Sequence, residues 1–435
     1  MRQWNCSGGS ETPMQAWLYF RSLDTLSLVS LFWFMVLLEV PRYSFGAIVV
    51  ALDAVWRRSP LPGYWRPTIS VLLVGHNEAH ALRRCVLALA EQSVMLQRAQ
   101  VQIVVVDDGS TDGMLGIARR LRDEKLIDEI LRVETRGGKS AGVNFGLTVC
   151  RGEIVVILDV DTTLDRDAIE ALLPYFGDPR VGAVGGDMGI GNACASLVTR
   201  HQQIEYLITI SLGRRIGDLL GTLSIVSGAF GAFRRSAVLG VGGQDTEVGE
   251  DADLTMKLRR AGWRIRFAPE ARAMTIVPDT MPGLIAQRLR WDRGVVTIWL
   301  RKFRGVFDAR SAAFRLIDVA ALLDVLSFQF VLTLVFPIYI LWLYYYFDTF
   351  ALSIMGATLI GYAAMDLLAL TVAASLVVGL HHVIGLLLYM PVYAVVQMCV
   401  MRPVRLTAIL QELVLRSSYR DPYVPAHVMR QVEQV

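Results

Sequence analysis

Two aspartates spaced two residues apart, Asp159 and Asp161, follow a run of five apolar residues, Ile154-Val155-Val156-Ile157-Leu158. Carboxylates at i and i+2 past the end of a buried strand can both turn outward. There their hard oxygen atoms suit Mg²⁺ or Mn²⁺ held against a diphosphate. Other polar clusters stand before and after this pair. Glu78 closes Gly75-His76-Asn77-Glu78, and Asp107 opens Asp107-Asp108-Gly109-Ser110-Thr111-Asp112. Asp107 can accept a hydrogen bond from a nucleobase or a ribose. Lys139, in Gly137-Gly138-Lys139, offers a cation for phosphate on a flexible turn, although the spacing is not that of a P-loop. Gly249-Glu250-Asp251 heads a helical pattern, and Asp251 there can serve as a general base. In Gln287-Arg288-Leu289-Arg290-Trp291, the amide of Gln287, the guanidinium of Arg290 and the indole of Trp291 fall near one helical face. That trio suits a diphosphate leaving group and a sugar ring. Each cluster alone also has a plainer role, as an acidic turn, a helix cap, a solvated lysine or an interfacial anchor.

The elements that must position these residues are legible in part. Ile69–Val74, Gln102–Val106 and Ile130–Val133 read as short buried strands, as does the run from Ile154. Helical patterns fall between them, at about Ala79 to Gln92 and up to about Arg122. Alternation at this spacing predicts a parallel, doubly wound sheet. Such sheets bind ligands at the carboxyl ends of their strands, where clusters 75–78, 107–112 and 159–161 fall. Further on, Ile225–Arg235 is a run of small residues before two arginines, and small residues let a bulky ligand approach the backbone. A helix is expected over Ala252–Ala261, and an amphipathic segment over Met281–Phe303.

Of the 435 residues, 54% are hydrophobic, too many for an ordinary soluble chain, and they are unevenly spread. Leu23–Val40 is almost uncharged and just long enough to span a bilayer, with Pro41 and Arg42 before an apolar continuation to Trp56. Arg57, Arg58 and Arg66 place the following domain in the cytoplasm by the positive-inside rule. No Lys or Arg occurs from Ala320 to Val400, and helices are expected at roughly 325–346, 350–379 and 382–401. Asp324, Asp348 and Asp366 near these helices either face a wet interior or sit at helix ends. Three crossings put the C-terminus outside, whereas Arg402, Arg405, Arg416 and Arg420 argue for inside. The net charge of +3 gives no case for nucleic acid as a partner, and the scattered cysteines fit a reducing compartment.

Taken in order, DDGS at Asp107, DVD at Asp159 and Asp161, GED at Asp251 and QRLRW at 287–291 resemble the processive family 2 glycosyltransferases, among them the cellulose, chitin, hyaluronan and poly-N-acetylglucosamine synthases. The resemblance covers residues 67–300 and the flanking apolar segments. It implies an α/β chain with a GT-A (Rossmann-like) cytoplasmic domain and flanking transmembrane helices. It also implies Mg²⁺ or Mn²⁺, a UDP-sugar donor and a growing polysaccharide as acceptor. Asp107 would contact the uridine with Glu78 nearby. Asp159 and Asp161 would hold UDP and the metal, and Lys139 would help with the phosphates. Asp251 would deprotonate the acceptor hydroxyl. Gln287, Arg290 and Trp291 would bind the diphosphate and the terminal sugar. The expected division is a membrane helix region at 1–66, the transferase domain at 67–280, interfacial helices at 281–318, channel-forming helices at 319–401 and a basic tail at 402–435. A bacterial inner-membrane protein contacting lipid is implied, with accessory export or regulatory subunits. VSGAFGAFRRSA and the run from Pro278 look most like the poly-β-1,6-N-acetylglucosamine synthases, which favours UDP-N-acetylglucosamine, with UDP-glucose next. The alternative is a non-processive enzyme adding one sugar to a lipid. Gly249 departs from the pattern, standing where relatives carry threonine, and so do Ser227 and the pair Asp292-Arg293. The segment Arg420-Asp421-Pro422-Tyr423 yields no function.

Overall fold

The computed structural model describes residues 13–56, 66–310, 314–377, 380–421 and 423–432. Arg57 and Arg58, on which the inside orientation leaned, lie outside the described residues. The chain divides into two compact units, one of Met1–Trp56 with Leu323–Leu406, the other of Arg57–Leu322 with Thr407–Val435.

The second unit is built on one sheet of strands β1 (Ile69–Gly75), β2 (Val101–Asp108), β3 (Glu129–Val133), β4 (Ile154–Asp159), β5 (Thr163–Leu164), β6 (Val181–Ile190), β7 (Phe230–Arg234) and β8 (Arg264–Thr275). Their spatial order is β3-β2-β1-β4-β7-β6-β8-β5. The first four are parallel, with Ile69 opposite both Val101 and Ile154. Their apolar runs are buried on both faces. Val71, Leu73, Ile103, Val105, Val156 and Leu158 fill one core. Their sequence neighbours Leu72, Val104, Val106, Val155 and Ile157 fill another, as the period-two alternation of strand side chains requires. Burying each such side chain stabilises the fold by roughly 1.5–3 kcal/mol.

The sheet is mixed, not parallel throughout as expected. β7 runs antiparallel to both β4 and β6, and β5 antiparallel to β8. The reversal matters for function. It returns Gly228 and Ala229 to the carboxyl end of β4, where the Asp159 amide donates to the Ala229 carbonyl at 3.1 Å. A parallel β7 would start at the opposite end of the sheet.

In the first unit, the span near the N-terminus is Met35–Trp56 rather than Leu23–Val40. Asp24 instead caps a separate short helix, Thr25–Leu31, accepting from the Ser27 amide at 3.2 Å. Pro41 does not end the span, because it sits in a wider π-helical stretch, Met35–Phe45, that absorbs its missing N–H. Two further stretches, Leu316–Val377 and Met390–Leu415, are also long and apolar enough to cross a membrane. The expected 325–346 helix thus starts earlier, at Leu316, and ends at Phe347 before Asp348, whose φ is 47°. The expected 382–401 helix is instead interrupted after Leu387. It restarts at Met390, where Pro391 occupies a first-turn position, and runs on to Leu415. Some acids in these helices pair with bases. Asp324 pairs with Arg42 at 2.6 Å, and Glu39 with Arg402 at 3.2 Å, while Arg402 also reaches the Tyr362 hydroxyl at 2.6 Å. Of the three aspartates noted in the sequence only Asp348 stands at a helix end; Asp324 and Asp366 lie within helical segments.

Candidate active site

The carboxyl ends of β1, β2 and β4 open into a cleft of about 230 Å³ whose wall includes Glu78, Asp108, Lys139, Asp159 and Asp161. Asp159 is the last residue of β4, so its side chain leaves the sheet where apolar packing stops. Asp161 follows in the next turn. Burial, and then the charge of Asp159, push the Asp161 carboxyl above its ordinary range. Burial and the charges of Asp161 and Asp159 do the same to Glu78. Three acids are thus crowded together where their repulsion favours a cation.

One cation is already present. Lys139 begins the helix Lys139–Leu147 and sets its ammonium on Asp159 Oδ1, with Glu250 Oε1 at 3.9 Å. Burial alone would lower the lysine's pKa, but Asp159, Tyr423 and Glu250 outweigh it and hold it above its usual value. The turn before Lys139 is fastened by Asp108, whose two oxygens accept from the Gly137 and Gly138 amides at 2.6 and 2.8 Å. Gly228 makes room for the lysine, since a Cβ there would lie 3.0 Å from Nζ.

Asp251 is the second residue of the helix Glu250–Arg260. Its Oδ1 accepts from the Ala252 amide at 2.8 Å, and the Gly228 amide lies 3.4 Å from its Oδ2. Glu250 is buried, and burial raises its pKa, with Lys139 opposing and Asp251 adding to the rise. The helix can start here because Gly249 takes φ 96° and ψ 40°, a left-handed turn open to glycine. That is the physical content of the Gly249 departure.

Asp107 is placed differently from a wall residue. It is buried to 0% exposure, its Oδ1 accepts from the Ser110 amide at 3.0 Å, and its Oδ2 has no hydrogen-bond partner. Arg132 Nη1 lies 3.9 Å from that oxygen. The neighbouring Asp108 is the one that faces the cleft.

Gln287, Arg290 and Trp291 share the helix Met281–Val296 but have distinct neighbours. Gln287 accepts from Arg288 Nη1 at 2.7 Å, and the Arg288 guanidinium stacks over the Trp291 ring at 4.2 Å. Arg288 is itself locked by Glu205, at 2.6 Å. Only Arg290 connects with the carboxylate cluster, through Tyr423, whose ring lies 4.4 Å from its guanidinium carbon.

Tyr423 is the residue that sequence reasoning missed. It lines the cleft, and its hydroxyl donates to Glu250 Oε1 at 3.4 Å. Its carbonyl accepts from Arg136 Nη2 at 3.1 Å. Burial and the Glu250 charge raise its pKa. The segment that carries it is tied to the same unit by Glu412, a fully buried carboxylate. Glu412 accepts from the Ser418 amide and hydroxyl, both at 2.8 Å, and from Arg301 Nη1 at 2.5 Å. Arg293 adds an ion pair to Asp421 at 3.5 Å. No motif marks these residues, because each makes at least one contact more than a hundred positions away, as Glu412 does with Arg301 and Tyr423 with Glu250.

No group of three or more His, Cys, Asp or Glu side chains arranged for a metal occurs among the described residues. The fit of a cation therefore rests on Asp159 and Asp161. Both line the cleft, burial and then the Asp159 charge hold the Asp161 carboxyl above its ordinary range, and their hard oxygen donors suit a divalent ion that is also bound by phosphate.

Residues 70–241 match the family model described as glycosyl transferase family 2. Over 237 residues the chain is 32% identical to a poly-beta-1,6-N-acetyl-D-glucosamine synthase of Staphylococcus aureus (strain COL), covering 54% of this chain and 56% of the relative. A protein of the same name from Staphylococcus epidermidis is 32% identical over 240 residues, again 54% and 56% of the two chains. The chain thus spans little more than half the length of the curated relatives it matches. Among solved structures, a mannosyltransferase from Pyrobaculum calidifontis, determined with GDP-Man and Mn²⁺, superposes with a TM-score of 0.57 at 22% identity, covering 89% of this chain and 99% of that one. That likeness establishes the fold as GT-A.

Proposed function

We propose, from the premise that residues 70–241 are a family 2 glycosyl transferase domain on a GT-A fold, that this chain is a membrane-bound, processive, inverting glycosyltransferase. It polymerises a β-linked polysaccharide from a UDP-sugar, UDP-N-acetylglucosamine before UDP-glucose, and extrudes the product across the bacterial inner membrane. The transferase domain faces the cytoplasm. The observation that carries this reading is one cleft lined by Lys139, Asp159 and Asp161, with Glu250 3.9 Å behind the lysine and Asp251 next to it in the chain, in a domain one-third identical to polysaccharide synthases.

The chemistry follows from the side chains. Asp251 takes the proton from the acceptor's terminal hydroxyl as that oxygen forms a bond to the anomeric carbon. The bond from that carbon to the diphosphate breaks, and UDP leaves. A fixed base of this kind is worth roughly 10²–10⁴-fold. The Ala252 amide, at 2.8 Å, and the Gly228 amide, at 3.4 Å, steady its carboxylate at the helix start. Lys139 is the fixed cation for the departing diphosphate, ready because its charge is already favoured in the ligand-free site. Asp107 would support the nucleobase end of the site from behind, its Oδ1 holding the Ser110 amide and Arg132 lying 3.9 Å from its Oδ2. A divalent cation held by Asp159 and Asp161 would neutralise charge on the diphosphate. Arg290, steadied by Tyr423, would add a further positive charge near the leaving group. The segment after Met281 would help exclude water.

The test is turnover. Full-length protein in detergent would be given Mg²⁺ or Mn²⁺ and a panel of UDP-sugars, with UDP release and product size followed together. Donor-specific UDP release with a high-molecular-weight product that a matching glycosidase digests is expected. A product one sugar larger than an added lipid would replace the polymerase with a single-addition lipid transferase. No UDP release with any donor would count against the enzymatic reading.

A further inference from the structure

The end of β4 opposite the catalytic cleft carries a second cavity, of about 350 Å³, lined by Arg151, Gly152, Glu153, Arg234, Arg235 and Ser236. The proposed reaction uses none of them. Both walls are fixed by backbone hydrogen bonds. The Arg151 amide donates to Gln102 Oε1 at 2.9 Å, the Gly152 amide to Ser70 Oγ at 2.8 Å and the Glu153 amide to Thr68 Oγ1 at 3.1 Å. The Arg235 amide closes the cavity on the Glu153 carbonyl at 2.9 Å.

The three guanidinium groups are not equivalent. Arg234 is a strut, donating from Nε and Nη2 to the Val181 and Phe176 carbonyls at 3.0 and 2.9 Å. Among the described residues Arg151 is held only by a surface ion pair to Glu129 at 2.8 Å, with side chains 73% and 41% exposed. Pairs of that kind contribute little and exchange readily. Arg235 differs again, because its Nε is buried and has no hydrogen-bond partner. That nitrogen is sealed off, but the other two guanidinium nitrogens are neither buried nor paired among the described residues, so they are open to an arriving acceptor. Glu153 is the only acid in the lining against three arginines, and guanidinium groups match phosphoryl oxygens in charge and in paired geometry.

We propose that this cleft is a binding site for a phosphoryl-bearing anion, held by Arg235 and Arg151 with the Ser236 hydroxyl at its edge. The chemistry is shared by a soluble phosphate compound and by an anionic lipid headgroup. The site is independent of the transferase reading, and its test does not require turnover.

The experiment measures pyrophosphate binding by calorimetry to full-length protein in phosphatidylcholine nanodiscs. Every arm carries Lys139→Gln, so that the first cleft contributes least. The expected result is one equivalent bound, weakened at least tenfold by adding Arg151→Gln and Arg235→Gln, with an unchanged thermal unfolding midpoint. If that combination fails to fold, Arg151→Glu alone decides, since its side chain is exposed; at least threefold weaker binding is expected. Repeating the titration in phosphatidylglycerol nanodiscs separates the sources. Arginine-dependent competition by the lipid identifies a headgroup, and its absence identifies a soluble anion. Equal affinity with and without the two arginines, or with Arg151→Glu where only that variant folds, overturns the proposal.

Discussion

Gly249→Thr would restore the residue that related sequences lead one to expect before the Glu-Asp pair, and the structure predicts that it should harm this protein. Gly249 sits at φ 96°, ψ 40°. For an L-residue the left-handed region costs about 1–2 kcal/mol, and a branched Cβ adds to that cost. The new Cβ would also lie 3.1 Å from Ile298 Cδ1 and 3.6 Å from Gly294 Cα. The isoleucine tip can move, so the backbone strain dominates, at about 2 kcal/mol. For a unit of about 300 residues, with an unfolding entropy of about 2 cal/mol/K per residue, that corresponds to a fall of about 3 °C in unfolding midpoint. Gly249→Ala should lose about half as much. The chain could relieve the strain by turning residue 249 into the β region, which would swing the start of the Glu250–Arg260 helix and with it Asp251. Misplacing a reacting group by about 1 Å can cost about 10²-fold, so UDP release should fall more steeply than stability. The assays are thermal unfolding by intrinsic fluorescence and UDP release on the same preparations. A Gly249→Thr protein as stable and as active as the parent would refute the reasoning, because it would mean that the turn before Glu250 does not depend on left-handed backbone.

Other perturbations probe the rest of the site. Asp251→Asn should fold normally and lower UDP release by roughly 10²–10⁴-fold; activity within tenfold of the parent would remove Asp251 as the base. Asp161→Asn should stabilise the ligand-free protein as pH rises. The parent's Asp161 has a folded pKa raised above 3.8 by burial and by Asp159, so its stabilising contribution is present at low pH and is lost as pH climbs through that raised value. The unfolding midpoint of the variant should therefore exceed the parent's more at pH 7 than at pH 3.5, and Mn²⁺ should raise the midpoint of the parent only. Glu412→Gln should loosen the segment that carries Tyr423, leaving the partly buried Arg301 without its counter-charge. Breaking a buried pair costs about 3–5 kcal/mol, and limited trypsinolysis at Arg416 or Arg420 should accelerate; an unchanged cleavage pattern would show that Glu412 does not hold the segment.

The half of the site on β1, β2 and β4 was legible because its logic is local. A buried parallel strand is a continuous apolar run, and its end is marked where charge begins, as at Asp159 and at Asp107-Asp108. The antiparallel β7 was not legible, because Phe230–Arg234 carries no signal of its direction; only its pairing with Leu158 through Ile154 decides it. The same limit applies to the membrane segments. Composition marks them, but Pro41 reads as a break and becomes part of a continuous span once a π-helical stretch accommodates it. Asp107 and Asp108 illustrate a finer limit. Consecutive strand residues face opposite ways, so one carboxylate is buried behind the turn and the other faces the cleft, and the pattern alone did not assign which.

Tyr423 shows why the remaining part was hidden and what it adds. Its contacts run to Glu250, Arg290 and Arg136, residues remote in sequence, so no window of sequence contains the constellation. Its position has a consequence for the order of events. Lys139 is shared between Asp159 and Glu250, and a diphosphate entering beside Lys139 must compete for that charge. Weakening Lys139's hold on Asp159 also frees that carboxylate for a divalent cation. Donor and metal binding are on this argument mutually reinforcing: each relieves a repulsion that the other needs relieved, and Tyr423, braced on Arg290, lies against the same group of charges. The segment read as a basic tail therefore contributes a wall residue to the cleft.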